Sequence, residues 1–458
     1  MTVNVEDLQR CFQGIVPAMV ATCALDGTPN VTYLSHVYYL DAKHVALSRQ
    51  FLNKTSKNIE ENPYACVQLI DPLTIDAYEL DLRFDHSETS GKLFETMALR
   101  IEAIASHTGM VGIFKLIAAD VYEVIALRPL PEAVSPAGSE PSEDSAPTSL
   151  RTELRALQVI SQRMSQACDL EGLLEALLAA LEAELGFAHS VVLLLDESGQ
   201  TFYTVASHGY EDDGGIGAEV VLGEGLIGMV GRERRILRLS DVDGDMRYGR
   251  AIRREVRSTL GGKALRPEIP LPGLAEARSH IAIPLLFADR LLGVLAVESH
   301  DPLAFAPWHE AFLGVLAGQA AAGIAHAMLR EDAEGGAGAS PVASIAFEPK
   351  PPRSFDFYPA DDCVFVDGEY LIRNVPGRLL WKLLRCHAQG HRAELSNREL
   401  RLDRSLGLPS LRDNLESRLI LLRKRLAQKC PEVRMVPTRR GRFRLEVDCE
   451  LLLSEKDG

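Results

Sequence analysis

The chain has 458 residues, 46% hydrophobic and 25% charged, which is ordinary for a globular protein and predicts about three domains. Its formal charge is −15, yet residues 373–442 hold 18 Lys and Arg against 6 Asp and Glu, so this segment carries +12 and the remainder −27. Eight scattered cysteines without a C-x-x-C pair argue against a zinc site or a disulfide framework, and no charged-then-apolar leader or bilayer-length apolar run stands out, so a soluble, cytoplasmic, non-membrane protein is expected.

An acidic chain with one compact basic end has the electrostatic outline of a regulator whose end meets a polyanion, most often nucleic acid. The other reading is a basic segment docked on the protein's own acidic body. Two polar stretches divide the chain: residues 128–149, rich in Pro, Ser, Glu and Ala, and residues 331–354, rich in Gly and Pro. No internal repeat is visible, so three different domains are expected at 1–127, 150–330 and 355–458, a multidomain α+β architecture.

In the first segment, β-rich runs at 15–24, 30–40 and 44–48 precede a short polar helix ending at Pro63, with the turn signature LDGTPN joining the first two. A strand ACVQLID follows, then an amphipathic helix near 91–107 with Leu93, Met97, Ile101 and Ile104 at helical spacing, and a closing strand YEVIAL. A six-stranded barrel is expected. The motifs G-x-x-P…T…DG-x-PNV, ALSRQF…KT-x-x-N…NP and TGM-x-G-x-F…DVYEV resemble the pyridoxamine 5′-phosphate oxidase-like split barrel that binds flavin mononucleotide (FMN). The resemblance implies a phosphate held at the end of a strand and the start of the next helix, by Ser48, Arg49, Gln50, Lys54, Thr55 and Asn58. A helix end plus a cation is a natural anion site. The family enzyme's R-x-x-L-L-K motif is absent. His36, His44, His86 and His107 raise haem as a second cofactor reading, though unpaired histidines are more often surface or hydrogen-bonded residues.

The middle segment opens with a long helical stretch in which Leu150, Leu154, Leu157, Ile160 and Met164 form a stripe suited to pairing with another helix, in the same chain or in a partner subunit. Strands SVVLLLDE and TFYTVASHG follow, then a pair of strands about the D-R turn in SHIAIPLLFADRLLGVLAVES, and a last apolar helix. The motifs G-E-G-L-I-G-x-V, DV…D-x-RY, S-x-x-A-x-PL and L-A-x-Q resemble a GAF domain, a small-molecule sensor with a central antiparallel sheet. Its ligand is unknown from sequence; His208, His280 and His300 are conceivable metal contacts. An insertion around Arg253–Ala275 either covers the pocket or forms a surface loop. The flanking helices suit a homodimer.

The last segment has strand–turn–strand VFVDGEYLI and a helix with Leu379, Leu380, Leu383 and Leu384 inward. Ser396 with Glu399 then reads as a capping box, and Leu411, Leu415, Leu419, Leu422 and Leu426 share a helical face before an RRG-tipped hairpin. This order, with LLRKRL and GRFRL, resembles the winged helix-turn-helix effector domain of response regulators. The resemblance implies that the third helix enters the major groove of double-stranded DNA and the wing reaches its backbone. By position, Arg412, Asn414, Ser417, Arg418, Leu421, Arg423 and Lys424 fall on or beside the reading helix, and Arg439, Arg440 and Arg442 on the wing. Ile420 and Leu421 stand where polar groups are usual, and would touch thymine methyls or another protein surface. The preferred reading is a one-component transcription regulator sensing a small molecule or redox state. The other is a flavin-dependent oxidoreductase with a regulatory GAF domain, although no nucleophile–base pair or metal constellation is legible.

Overall fold

The computed structural model describes residues 3–50, 54–130, 150–167, 169–196, 198–210, 219–260, 265–269, 273–274, 276–333, 350–389, 395–396, 399–400, 403, 406, 415–439 and 442–456. They form two compact units. One gathers Met1–Leu157, Gly223–Pro284 and Ala296–Gly314; the other gathers Gln158–Leu222, Leu285–Leu295 and Val315–Gly458. The first N-terminal stretch builds a barrel-like seven-stranded sheet of order β2-β1-β5-β6-β7-β4-β3. Its strands are β1 (Ala18–Cys23), β2 (Pro29–Leu34), β3 (Val37–Asp41), β4 (His44–Arg49), β5 (Tyr64–Ile70), β6 (Ala77–Glu88) and β7 (Ala118–Pro129), with helices α1 (Lys54–Glu61) and α2 (Lys92–His107) between them. Alternation places Val20, Val45, Val67, Leu80 and Leu82 in one core at 0–1% exposure.

Three differences from the sequence expectation have simple causes. The run 30–40 is not one strand: it breaks at Ser35–His36 into β2 and β3, on opposite edges of the sheet. The seventh strand is β6, whose Glu, Asp and Arg residues mask its alternation. The long helical stretch of the middle segment also divides, into α3 (Leu150–Ser165) and α4 (Leu170–Leu185). Asp169 is the reason, since its carboxylate accepts the Gly172 N–H at 2.9 Å and starts a new helix as N-cap.

The middle segment forms a second, GAF-like sheet of order β10-β9-β8-β13-β12-β11. Its elements are β8 (His189–Leu195), β9 (Thr201–His208), β10 (Glu219–Val221), α5 (Gly225–Glu233), β11 (Leu237–Leu239), α6 (Val242–Leu260), β12 (Ser279–Phe287), β13 (Arg290–Ser299) and α7 (Trp308–Ala333). The β12–β13 turn is carried by Ala288 and Asp289, both at positive φ, and Arg290 already belongs to β13. Trp308–Met328 within α7 is apolar and long enough to cross a membrane by composition, which corrects the expectation that no such run exists. Here it is a core helix: Leu316, Ala317, Ala320, Ala321 and Ile324 are buried, and α3 meets it through Ser161 Oγ, which donates to Gln319 Oε1 at 2.8 Å.

The C-terminal segment has a four-stranded sheet, β16-β15-β14-β20, and a three-stranded one, β17-β19-β18. They comprise β14 (Lys350–Tyr358), β15 (Cys363–Val366), β16 (Glu369–Ile372), α8 (Asn374–Ala388), β17 (Leu395–Ser396), α9 (Leu415–Lys429), β18 (Val433–Arg439), β19 (Arg442–Val447) and β20 (Cys449–Glu455). Strand β14 begins inside the stretch read as linker; its register shift between Lys350 and Arg353 absorbs two prolines that hid it. Leu379, Leu380, Leu383 and Leu384 of α8 are buried, as are Leu415, Leu419, Leu422 and Leu426 of α9. Leu411 lies outside the described residues.

Candidate functional site

In the barrel, β1 and α1 are tied by a polar network around Thr22. Its hydroxyl oxygen accepts Asn58 Nδ2 at 3.1 Å and Asn30 Nδ2 at 3.4 Å, and Asn30 also donates to Thr55 Oγ1 at 2.9 Å. Asn58 is 2% exposed, with its amide bonded to Thr22. Arg49 is similarly engaged, donating to Asp120 at 2.6 Å and to Ser87 Oγ at 2.6 Å. Gln50 Nε2 donates to Ser48 Oγ at 3.0 Å, and Lys54 Nζ reaches the Pro29 carbonyl at 3.4 Å. Of the six residues implied for a phosphate, Ser48, Gln50, Lys54 and Thr55 therefore keep a donor to offer, while Asn58 is bonded to Thr22 and Arg49 is tied through Nη2 to Asp120 and Ser87, its Nε buried without a partner among the described residues. That donor set fits an anion.

The histidines do not converge. His44 pairs with Asp41 at 3.0 Å and His86 with Asp85 at 2.7 Å; His208 pairs with Glu182 at 2.6 Å and His280 with Glu298 at 3.3 Å. His36 stacks edge-on against Tyr38, its Nδ1 buried without a hydrogen-bond partner among the described residues. Among those residues, the metal-compatible group is one that sequence reasoning missed: Cys66, Glu79 and Asp81, aligned by the β5–β6 register. Arg128 bonds both carboxylates, at 2.5 and 2.7 Å, and so occupies the place of a cation.

A buried polar cluster lies where α2 meets α5 and α6. Helix α5 begins at Gly225 without a side-chain cap from Glu224, leaving its first amides to be satisfied from outside. The end of α2 supplies the acceptors. Gly225 N–H donates to Ser106 Oγ at 2.8 Å, and Leu226 N–H to His107 Nε2 at 2.9 Å. Because Nε2 accepts, the ring proton sits on Nδ1, which donates to the Ile269 carbonyl at 2.9 Å. A side chain at Gly225 would place its Cβ 3.0 Å from the His107 ring, and φ is +63°, so a substitution there is strained. The insertion after Arg253 is thereby explained. Arg253 donates to the Thr108 carbonyl at 2.5 Å, and the N–H groups of Arg266 and Ile269 to the carbonyls of Gly109 and His107. It grips the end of α2. Deeper in, Arg100 and Asp245 form an ion pair at 2.7 Å with side chains 7% and 3% exposed.

Two of the C-terminal residues read as DNA-facing, Arg418 and Arg423, meet other groups of the chain in this structure. Arg418 is 6% exposed, with its guanidinium 5.9 Å from the centre of the Tyr203 ring on β9. Arg423 pairs with Glu171 of α4 at 3.0 Å. Ile420 and Leu421 are buried, at 1% and 7%. Arg373, at the start of α8, forks onto Glu219 of β10 at 2.5 and 3.1 Å. Lys424 and Arg442 are half-buried. Arg412, Asn414 and Arg440 lie outside the described residues, as do the side chains of Ser417, Arg439 and Ser396.

Comparison with known proteins agrees with two of the three resemblances. Residues 5–124 match the family model for Pyridoxamine 5'-phosphate oxidase, and residues 169–324 that for the GAF domain. No curated protein matches the chain. Among solved structures, the GAF domain of a phosphoenolpyruvate-protein phosphotransferase from Acinetobacter is 25% identical, covering 39% of this chain and 95% of that one, with a TM-score of 0.32. Its counterpart from Coxiella burnetii is 25% identical over 40% and 98%, with a TM-score of 0.33. An FMN-binding protein from Syntrophomonas wolfei is 15% identical over 27% and 84%, with a TM-score of 0.23. The chain thus carries an oxidase-type split-barrel domain and a GAF domain, a combination of sensory and regulatory modules.

Removing one partner of the Arg100–Asp245 pair strands a buried charge. Arg100→Met or Asp245→Leu alone should lower stability by about 3–5 kcal/mol, while the double variant should recover most of it. Urea denaturation of the three variants measures this.

Burial holds the His107 imidazole below its ordinary value of 6.5, and its role requires the neutral ring. The unfolded chain takes up the proton first, so the contribution of His107 is complete above about pH 6.5 and declines as pH falls towards the folded value. His280, pushed down to about 3, and His309, to about 4, both by burial, act in the same sense. Burial raises the Asp245 carboxyl, which acts oppositely, so the readout must be local. Hydrogen exchange at Gly225 and Leu226, corrected for intrinsic rates, should accelerate by up to about tenfold per pH unit below 6.5. His107→Gln should flatten that dependence.

Proposed function

We propose that this protein is a one-component transcription regulator, in which the split barrel and the GAF domain sense a small molecule or redox state and the C-terminal segment is a winged helix that binds double-stranded DNA. One observation carries the reading: a strand set, two helices and the β18–β19 hairpin follow one another in winged-helix order, and the stretch from α8 to the start of β19, residues 373–442, carries +12 in an acidic chain. In that reading α9 is the reading helix. Its Arg418, Leu421 and Arg423 face the sensor's Tyr203 and Glu171 side, so the arrangement described here is a closed one and α9 must leave the sensor sheet to enter a groove. The exposed Leu154 of α3 and Val315 of α7 are apolar surface suited to a homodimer.

The barrel is proposed to hold FMN, with Ser48, Lys54 and Thr55 donating to its phosphate. A bound flavin would supply redox sensitivity, and the chain's part is to fix the phosphate by charge-assisted bonds. Lys54→Ala with Thr55→Ala should weaken flavin binding at least about tenfold, since each such bond contributes about 1.5–3 kcal/mol. Flavin fluorescence on titrating the refolded apoprotein checks it; an unchanged Kd places the phosphate elsewhere.

Arg440→Ala with Arg442→Ala should weaken DNA binding about equally on all sequences and reduce the slope of log affinity against log salt by about 0.9 per lost phosphate contact. Glu171→Gln with Tyr203→Leu should do the reverse. Loosening a half-exposed ion pair and a cation–ring contact, together about 1–2 kcal/mol, should raise DNA affinity by roughly fivefold to thirtyfold. Gel shifts over a salt series with genomic fragments measure both; no salt-sensitive binding to any fragment rejects the DNA reading.

A further inference from the structure

Between the β9–β10 edge and helices α8 and α9 lies a cavity of about 320 Å³. Among the described residues, four arginines line it, Arg373, Arg378, Arg418 and Arg425, against three carboxylates, Asp196, Glu219 and Asp362. Each carboxylate is engaged away from α9. Glu219 forks onto Arg373, and Asp362 takes Arg378 at 2.9 Å. Asp196 is folded into its own turn, accepting the N–H groups of Gln200 and Thr201 and the Ser198 hydroxyl. Among the described residues, the α9 side of the cavity is lined by the guanidinium groups of Arg418, almost fully buried, and Arg425, which donates a long 3.4 Å bond to Gln428. The rings of Tyr203 and Tyr370 complete the wall.

A buried guanidinium is costly unless an anion or a π-face meets it, and Arg418 has the π-face of Tyr203. Guanidinium groups present parallel donors that match carboxylate and phosphate oxygens. The volume suits a small ring-bearing molecule. We propose that this cavity binds a small organic anion, an aromatic or heteroaromatic body carrying one phosphate or carboxylate. The anionic group meets Arg418 and Arg425, and the ring lies among Tyr203, Tyr370 and Leu421. Such a ligand bridges α9 to the sensor sheet and holds the two together. The site goes beyond the regulator reading and does not depend on DNA, because its test is direct binding.

Calorimetric titration of the full chain with phenyl phosphate, benzoate and phenol separates the possibilities. Saturable one-to-one binding of either acid at up to millimolar concentration, with none for neutral phenol, is the expected result, and the tighter acid identifies the anionic group. Arg418→Gln with Arg425→Gln should weaken it by about tenfold or more. Saturation by neither acid, or undiminished binding in a folded double variant, overturns the proposal. Should that variant fail to fold by circular dichroism, Glu219→Gln decides: removing a carboxylate from the wall should tighten acid binding severalfold, and an unchanged or weaker affinity overturns the site.

Discussion

The organising constraint in the first unit is an unfilled helix start. Helix α5 has no side-chain cap of its own, and its first two amide protons find their acceptors on Ser106 and His107 at the far end of α2. Unpaired buried amides cost a few kcal/mol each, so the barrel helix and the GAF helix are obliged to meet end to start. Everything nearby follows from that meeting: the glycine at 225, the fixed tautomer of His107, and the backbone bonds that the 265–269 strip makes to residues 107–109. The Arg100–Asp245 pair then makes the register specific, since a slipped helix would leave both charges buried and unmatched.

In the second unit the same economy of surfaces governs α9. Its leucine face at 415, 419, 422 and 426 belongs to its own domain, while Arg418, Leu421 and Arg423 are taken up by β9 and α4. A helix buried on two sides cannot serve a third partner without giving one up. Charge explains why the second contact is tolerable. The segment is strongly basic in an acidic chain, so Glu171 and Glu219 stand ready as counter-charges.

Much of this was legible in the sequence. Alternating apolar strands and leucine stripes at helical spacing exposed the barrel strands, α8 and α9, because burial periodicity writes itself directly into residue type. What failed had local disguises: charged residues along β6, paired prolines in β14, and one aspartate hidden in a run of leucines between α3 and α4. The polar junction left fainter traces. The partners of Arg100, Ser106 and His107 are 119–162 residues away in sequence, and no spacing rule connects them. One signal was available, for Arg100 stands on the same stripe as Met97, Ile101 and Ile104, where a charge implies a buried counter-ion. In the barrel, residue type alone could not separate Arg49 and Asn58, held by Asp120 and Thr22, from neighbours that keep a donor to offer.

The Pro- and Ser-rich join between barrel and GAF domain looks like a hinge between interchangeable parts, and residues 107–109 say otherwise. The carbonyls of His107 and Gly109 accept main-chain N–H groups from a loop more than 150 positions further on. A barrel transplanted from another protein would have to bring the loop that receives it, so inheritance, like engineering, must treat the two domains as one heritable piece.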